Sequence, residues 1–296
     1  MSWQMQAVGL FTRVTRKRRY GDPAGGPQLL AADKADPAPA DKTVRGLSVT
    51  QHDVAGFPVY AVVRPGLDRV HAPAVIYLHG GAFVNEIAPQ HWQLIAQIAR
   101  ELPVTVIVPI YGLAPDHHAD EARAQVGALL RAAAAEERPT YLMGDSAGGN
   151  LALVAAQQSV ARGEECVRGV TLIAPWLDLT MANPEIEALE PHDPWLARAA
   201  LHEVARVWAD QTPLADPLIS PLFGRFEGLP PVDLWIGTRD ICLPDTHLLR
   251  DAIAQVGTVS YHEEPGALHV YPLLPTPEGK RARAELIAHV ERILIG

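Results

Sequence analysis

Ser146 lies in Met143-Gly144-Asp145-Ser146-Ala147-Gly148-Gly149-Asn150, a serine ringed by residues with almost no side chain. The apolar run Thr140–Met143 before it has the length of a strand, and Ala147–Ala161 after it has the composition of a helix. A Gly-x-Ser-x-Gly spacing alone is common, and the strand–turn–helix setting is what gives it meaning. At such an elbow the serine sits in a strained turn with its hydroxyl exposed. A side chain at Gly144 or Gly148 would collide with the adjoining strand or helix. The helix start adds free N–H groups and a partial positive charge beside the oxygen. The chemistry this suits is nucleophilic acyl transfer. It needs three further parts: a base for the serine proton, a group to orient that base, and donors for the oxyanion.

The chain offers each part. His79-Gly80-Gly81-Ala82-Phe83 closes an early apolar run, and its glycines let backbone approach a substrate carbonyl. Gly80, Gly81 and Ala82 are therefore candidate oxyanion-hole residues, with Ala147 beside the serine. For the acid, Asp240 follows the apolar run Val232–Gly237 by three residues, at the strand end where open α/β sheets place their ligands. Its rival Asp245, in Pro244-Asp245-Thr246, reads as the cap of the next helix. For the base, His269 is favoured among 12 histidines because it lies in the loop between the last strand and the last helix. His262 falls inside the preceding strand and His289 on the final helix, both read as solvated. His117, His118 and His202 lack the His-Glu-x-x-His spacing of a zinc site, so no metal is expected.

These residues meet only if the chain between them folds as alternating strands and helices. Of the 296 residues, 48% are hydrophobic and 20% charged, enough for a core and against disorder. The net charge of −9 argues against a nucleic-acid partner. Two distant cysteines point to a reducing, cytoplasmic setting. No signal peptide or membrane-length apolar run is visible, so no membrane partner is expected. The stretch VRGLSVTQHDVAGFPVYAVVRPG predicts a β-hairpin, and short β-branched runs such as Val104–Ile110 then alternate with helical patterns. The fold class is α/β, with a mostly parallel sheet of about eight strands, helices on both faces and a helical cap.

The more than 50 residues between Pro175 and Val232 are too long for a connection and predict a cap insertion at about 176–222. Residues 44–296 form the main domain, and 1–43 form an N-terminal cap helix followed by a Pro/Ala/Gly-rich linker, 22–43. Trp3, Ala7, Leu10, Phe11 and Val14 share one helical face, expected to cover the mouth of the site together with the insertion. Arg13, Arg16, Lys17, Arg18 and Arg19, the only charges in the first 21 residues, read as a solvated helix end in preference to a membrane or nucleic-acid arm.

The motifs HGGAF, GDSAGGN, DPLISPLFGRFEGLPPVDLWIGTRDICLPD and GALHVYPLL, with QHWQLIAQIAR and IYGLAPDH, occur in this order. From about residue 45 to the end, the chain resembles the bacterial hormone-sensitive-lipase-like esterases of the α/β-hydrolase superfamily. That resemblance implies the α/β-hydrolase fold, hydrolysis of carboxylic esters and sometimes lactones, no cofactor, and a triad of Ser146, Asp240 and His269. The expected reaction is hydrolysis of short-chain acyl esters through an acyl-enzyme. An amidase or deacylase with the same triad is the alternative, as is a non-catalytic ligand-binding relative, against which the presence of His269 argues. The expected partner is a small-molecule ester or lactone, with a homodimer left open. Three departures stand out: Ala82 replaces a usual third glycine, IYGLAPDH lacks an Asp and an Arg common there, and Ala267-Leu268 replaces a bulkier approach to the base.

Overall fold

In a computed structural model, which describes residues 1–296, the apolar runs become eight strands of one sheet. They are β1 (Ser48–Val54), β2 (Phe57–Val63), β3 (Ala74–Leu78), β4 (Thr105–Pro109), β5 (Thr140–Asp145), β6 (Val167–Ile173), β7 (Val232–Gly237) and β8 (Val259–Glu264). The spatial order is β1-β2-β4-β3-β5-β6-β7-β8. The hairpin β1–β2 and the β2–β4 pair are antiparallel, and every later pair is parallel. Strands β3, β5 and β7 are buried along their whole length, which is why they read as continuous apolar runs rather than alternating ones.

Helices follow in chain order as α1 (Trp3–Thr12), α2 (Arg18–Gly21), α3 (Gly25–Leu30), α4 (Asp41–Val44), α5 (Pro89–Glu101), α6 (Ala119–Ala135), α7 (Ala147–Ala161), α8 (Pro184–Leu189), α9 (Arg198–Ala209), α10 (Leu243–Val256) and α11 (Pro277–Leu294). A π-helical turn, Arg13–Lys17, joins α1 to α2. None of these helices is long and apolar enough to cross a membrane. Ser2 begins α1 by accepting the Met5 N–H on its Oγ at 3.2 Å, and the same hydroxyl donates to Glu278 of α11 at 2.7 Å.

Two sequence expectations change. Inside the expected linker 22–43, residues Gly25–Leu30 form α3, which packs on α9 and buries Leu29. Glycine there serves contact, not flexibility: a Cβ at Gly26 would lie 2.5 Å from the Glu203 Cβ. The face Trp3/Leu10/Phe11/Val14 points to solvent, and the opposite face, Met5/Gly9/Thr12, is the buried one. On that buried side Leu268 and Arg239 pack against the helix at Gly9, at distances that would admit a Cβ.

Candidate active site

Strand β5 runs straight into Ser146, and α7 begins one residue later. Ser146 has φ 52° and ψ −117°, a left-handed backbone that costs a non-glycine residue of order 1–3 kcal/mol and persists only when its surroundings enforce it. They do so sterically. A Cβ on Gly144 would sit 2.2 Å from the Gly148 carbonyl oxygen, and one on Gly148 would sit 2.0 Å from the Leu78 carbonyl oxygen. The Ser146 N–H is tied to the Ile173 carbonyl at 2.8 Å. Asn150, one turn along, donates to the Trp176 and Ile219 carbonyls at 2.8 and 2.7 Å and so fixes the base of the insertion to the elbow.

His269 reaches this serine from the loop after β8. Its Nε2 lies 2.9 Å from Ser146 Oγ, and its Nδ1 lies 2.7 Å from Asp240 Oδ2. The carboxylate can only accept, so Nδ1 carries the proton and Nε2 is left to accept from the serine hydroxyl. The other Asp240 oxygen accepts the Cys242 N–H at 2.9 Å. Burial pushes the imidazole's pKa down, but the charge and hydrogen bond of Asp240, with the charges of Asp193 and Asp145, outweigh it, and the net shift is upward. The Trp195 ring stands edge-on to His269 at 5.9 Å.

The rival residues lie elsewhere. Asp245 is the third residue of α10, not its cap. Its Oδ1 accepts from Asn183 Nδ2 at 2.9 Å, and burial raises its pKa to about 6. His262 is stacked on Trp235 at 3.8 Å and paired with Asp233, and His289 is buried on α11, receiving a hydrogen bond from Arg292; neither is the solvated residue expected. Asp240, Cys242 and His269 each place one donor atom within 4.8 Å of the others. They suit a metal poorly, since both His269 nitrogens are engaged, and burial followed by the nearby carboxylate charges keeps the Cys242 thiol protonated.

On the other side of Ser146, the loop after β3 turns through three left-handed residues, Gly81 (φ 127°), Ala82 (φ 54°) and Phe83 (φ 59°). The N–H groups of Gly81 and Ala82 bond to no acceptor of the protein, and Ala147 is the first residue of α7, whose N–H has no intrahelical partner. Gly80 does not belong with them: its N–H already donates to Asp145 Oδ1 at 3.0 Å. Phe83 is held by face-to-face stacking on Trp208 of α9, with ring centroids 4.5 Å apart.

Asp145 was not singled out in the sequence, yet it joins the two halves of the site. Its Oδ1 accepts both the Gly80 N–H and the Tyr77 hydroxyl (2.7 Å), and its Oδ2 faces His91 Nε2 at 3.1 Å. His91 Nδ1 accepts the Ala88 N–H, so Nε2 bears the proton and donates. Burial raises the Asp145 pKa, but its interaction with His91, followed by the Tyr77 and Gly80 hydrogen bonds, brings it below the ordinary value. The available signal was a charged residue ending an otherwise apolar strand, which must find partners when buried. Asp193, in the insertion, is equally buried and lies behind Asp240. Burial, then the Asp240 charge, pushes its pKa upward.

Above Ser146 and His269 opens a cavity of about 410 Å³. The insertion lines it with Trp195, Leu196 and Leu201, and the N-terminal segment lines it with Arg16, Tyr20 and Lys34.

Comparison with known proteins agrees with this architecture. A family model described as the alpha/beta hydrolase fold matches residues 75–273. The chain is 32% identical to LipR of Mycobacterium tuberculosis, over 92% of this chain and 88% of that protein. It is 29% identical to a Streptomyces hygroscopicus protein named acetyl-hydrolase, over 86% of each chain. It is also 29% identical to a protein of Acinetobacter venetianus named esterase, over 72% of each. Among solved structures, an esterase from the bacterial hormone-sensitive lipase family superposes over 99% of both chains with a TM-score of 0.80 at 22% identity, a likeness of fold.

Proposed function

Since the chain belongs to the α/β-hydrolase family, we propose that it is a serine carboxylic-ester hydrolase acting on short-chain acyl esters or lactones. The observation that carries this reading is His269 bridging Ser146 and Asp240 at hydrogen-bond distance beneath a cavity of about 410 Å³. The names esterase and acetyl-hydrolase carried by relatives support the same substrate class.

Ser146 Oγ attacks the acyl carbonyl as His269 Nε2 takes its proton, and Asp240 holds the imidazolium in place. The tetrahedral oxyanion forms against the N–H groups of Gly81, Ala82 and Ala147, whose orientation is fixed before substrate arrives. Collapse breaks the bond to the alcohol, which leaves with the proton from His269. Water, deprotonated by His269, then attacks the acyl-enzyme, and the same steps in reverse release the acid and restore Ser146. Residues 1–43 and the insertion 176–222 serve as a two-part cap that excludes bulk water during these steps. Two free, buried cysteines, Cys166 and Cys242, are in keeping with a cytoplasmic setting.

The test compares p-nitrophenyl butyrate with the matched butyranilide, using wild type and Ser146→Ala. Hydrolysis of the ester well above the anilide, lost in the variant, is expected. Preferential anilide cleavage would make the protein an amidase, and an unaffected variant would remove Ser146 from the chemistry.

A further inference from the structure

The first helix carries two apolar faces, and only one is covered. Met5, Gly9 and Thr12 are buried against the body. On the opposite side Trp3, Leu10, Phe11 and Val14 are 73%, 67%, 62% and 70% exposed, and Ala7 between them is also exposed. At 3.6 residues per turn these five fall within about 100° of arc, a continuous stripe rather than scattered surface residues.

The stripe runs into positive charge. No acidic residue precedes Asp22, and Arg13, Arg16 and Arg18 are exposed in the turns after Phe11. Three of the five also brace neighbouring segments: Arg13, though exposed, donates to the Pro191 carbonyl, Lys17 to the Glu190 and Leu196 carbonyls, and Arg19 to the Gln28 carbonyl. The rest of the chain carries −14, from −9 overall less these five positive charges, so the patch is a local exception on an acidic molecule.

We infer that this face docks the protein on an anionic lipid surface. Trp3, Leu10, Phe11 and Val14 enter the boundary between headgroups and acyl chains while the arginines meet the phosphates. Charge decides between occupants. A second copy would bring the same cationic run and the same acidic body, whereas an anionic surface neutralises the arginines. Screening over about 8–10 Å at physiological salt keeps the acidic body from cancelling this attraction. The same N-terminal segment lines the cavity with Arg16 and Tyr20, on the side away from the stripe. The docking itself does not depend on the proposed reaction.

Co-sedimentation of the full chain with phosphatidylcholine vesicles, with and without phosphatidylglycerol, tests this. Partitioning is expected to be about a hundredfold stronger onto the anionic vesicles, since three arginines contribute roughly fivefold each. High salt should weaken it. Leu10→Ser/Phe11→Ser should reduce partitioning at least tenfold, and Arg18→Glu should remove much of the preference for anionic vesicles. Both variants alter exposed side chains away from the cavity and should keep the wild-type unfolding temperature and the rate on p-nitrophenyl butyrate in solution. No partitioning by the full chain, or equal partitioning by Leu10→Ser/Phe11→Ser, overturns the inference. So does a wild-type dimer that the double variant makes monomeric without vesicle binding, which would make a second copy the occupant.

Discussion

Asp193 holds Ile241, the neighbour of Asp240, by accepting its N–H on Oδ2 at 3.0 Å, while its Oδ1 accepts the Trp195 and Leu196 N–H groups at 2.7 and 2.9 Å. One buried carboxylate thus joins the insertion to the loop bearing Asp240, the proposed acid. Asp193→Asn should leave the fold intact but present an N–H₂ group to one of these donors, shifting the Asp240 loop. We predict a fall in kcat of about tenfold or more with little change in KM, because a positioning effect is felt where groups must be aligned. The Asp193 charge also raises the His269 pKa, so the acid limb of the pH profile should move down in this variant. A profile and kcat identical to wild type would reduce Asp193 to a structural residue.

In the wild-type enzyme that limb has a defined side. His269 must be neutral to accept the serine proton, and its pKa is raised, so protonation begins above the ordinary histidine value of about 6.5. Activity should therefore be lost as pH falls through a midpoint above about 6.5. The measurement is kcat/KM against pH, and a plateau extending well below that value would contradict the Asp240–His269 coupling.

The two candidate acids should separate cleanly. Asp240→Asn cannot hold the productive His269 tautomer and should reduce kcat by several orders of magnitude. Asp245→Asn should leave kcat near wild type. For stability the sign is opposite to a helix cap. The folded pKa of Asp245 is raised to about 6, so the native state binds its proton more tightly than the unfolded chain, and wild-type stability falls as pH rises from about 4 to about 6. The variant carries no such charge and should be the more stable form at pH 7, by an amount on the order of 1 kcal/mol. Denaturant midpoints at pH 4 and pH 7 check this.

The elbow and the last-loop histidine were legible in the sequence because each follows from local sterics and order along the chain: Gly144 and Gly148 have no room for a side chain, and His269 has one loop to occupy. Asp145 and Asp193 were not, since a carboxylate's partners come from distant segments such as Tyr77, His91 and Ile241. The misplaced face of α1 shows another limit. Periodicity reveals an apolar stripe but not what covers it, and here the body, through Leu268, packs against the less apolar side of the helix. Gly25-Gly26 read as linker for the same reason: the sequence does not show the Arg19 carbonyl that crowds Gly25 or the Glu203 side chain of α9 that crowds Gly26.

Ala82 carries a left-handed φ of 54° where glycine would be unstrained. Ala82→Gly relieves about 1–2 kcal/mol of strain and gives back about 0.5–1 kcal/mol to the unfolded chain, so a small gain in unfolding temperature is expected. Removing the methyl from the cavity wall should also raise kcat/KM for esters of bulky alcohols relative to ethyl esters. A loss of stability would mean that the methyl's packing outweighs the strain.

Cavity size sets the acyl range. Each methylene that fits gains at most about fourfold in kcat/KM, and growth stops when the space is full. A cavity of about 410 Å³ shared by acyl and alcohol groups should give an optimum at acyl chains of about two to eight carbons. A series of p-nitrophenyl esters tests this; the palmitate ester as best substrate would refute it.

The central claim is that Ser146 is the nucleophile, and intact mass with peptide mapping after reaction with a fluorophosphonate addresses it directly. The account predicts one phosphonyl group per chain, on Ser146, formed in step with loss of esterase activity and absent from both Ser146→Ala and His269→Ala. A label on any other residue, or full ester hydrolysis by Ser146→Ala, would contradict it.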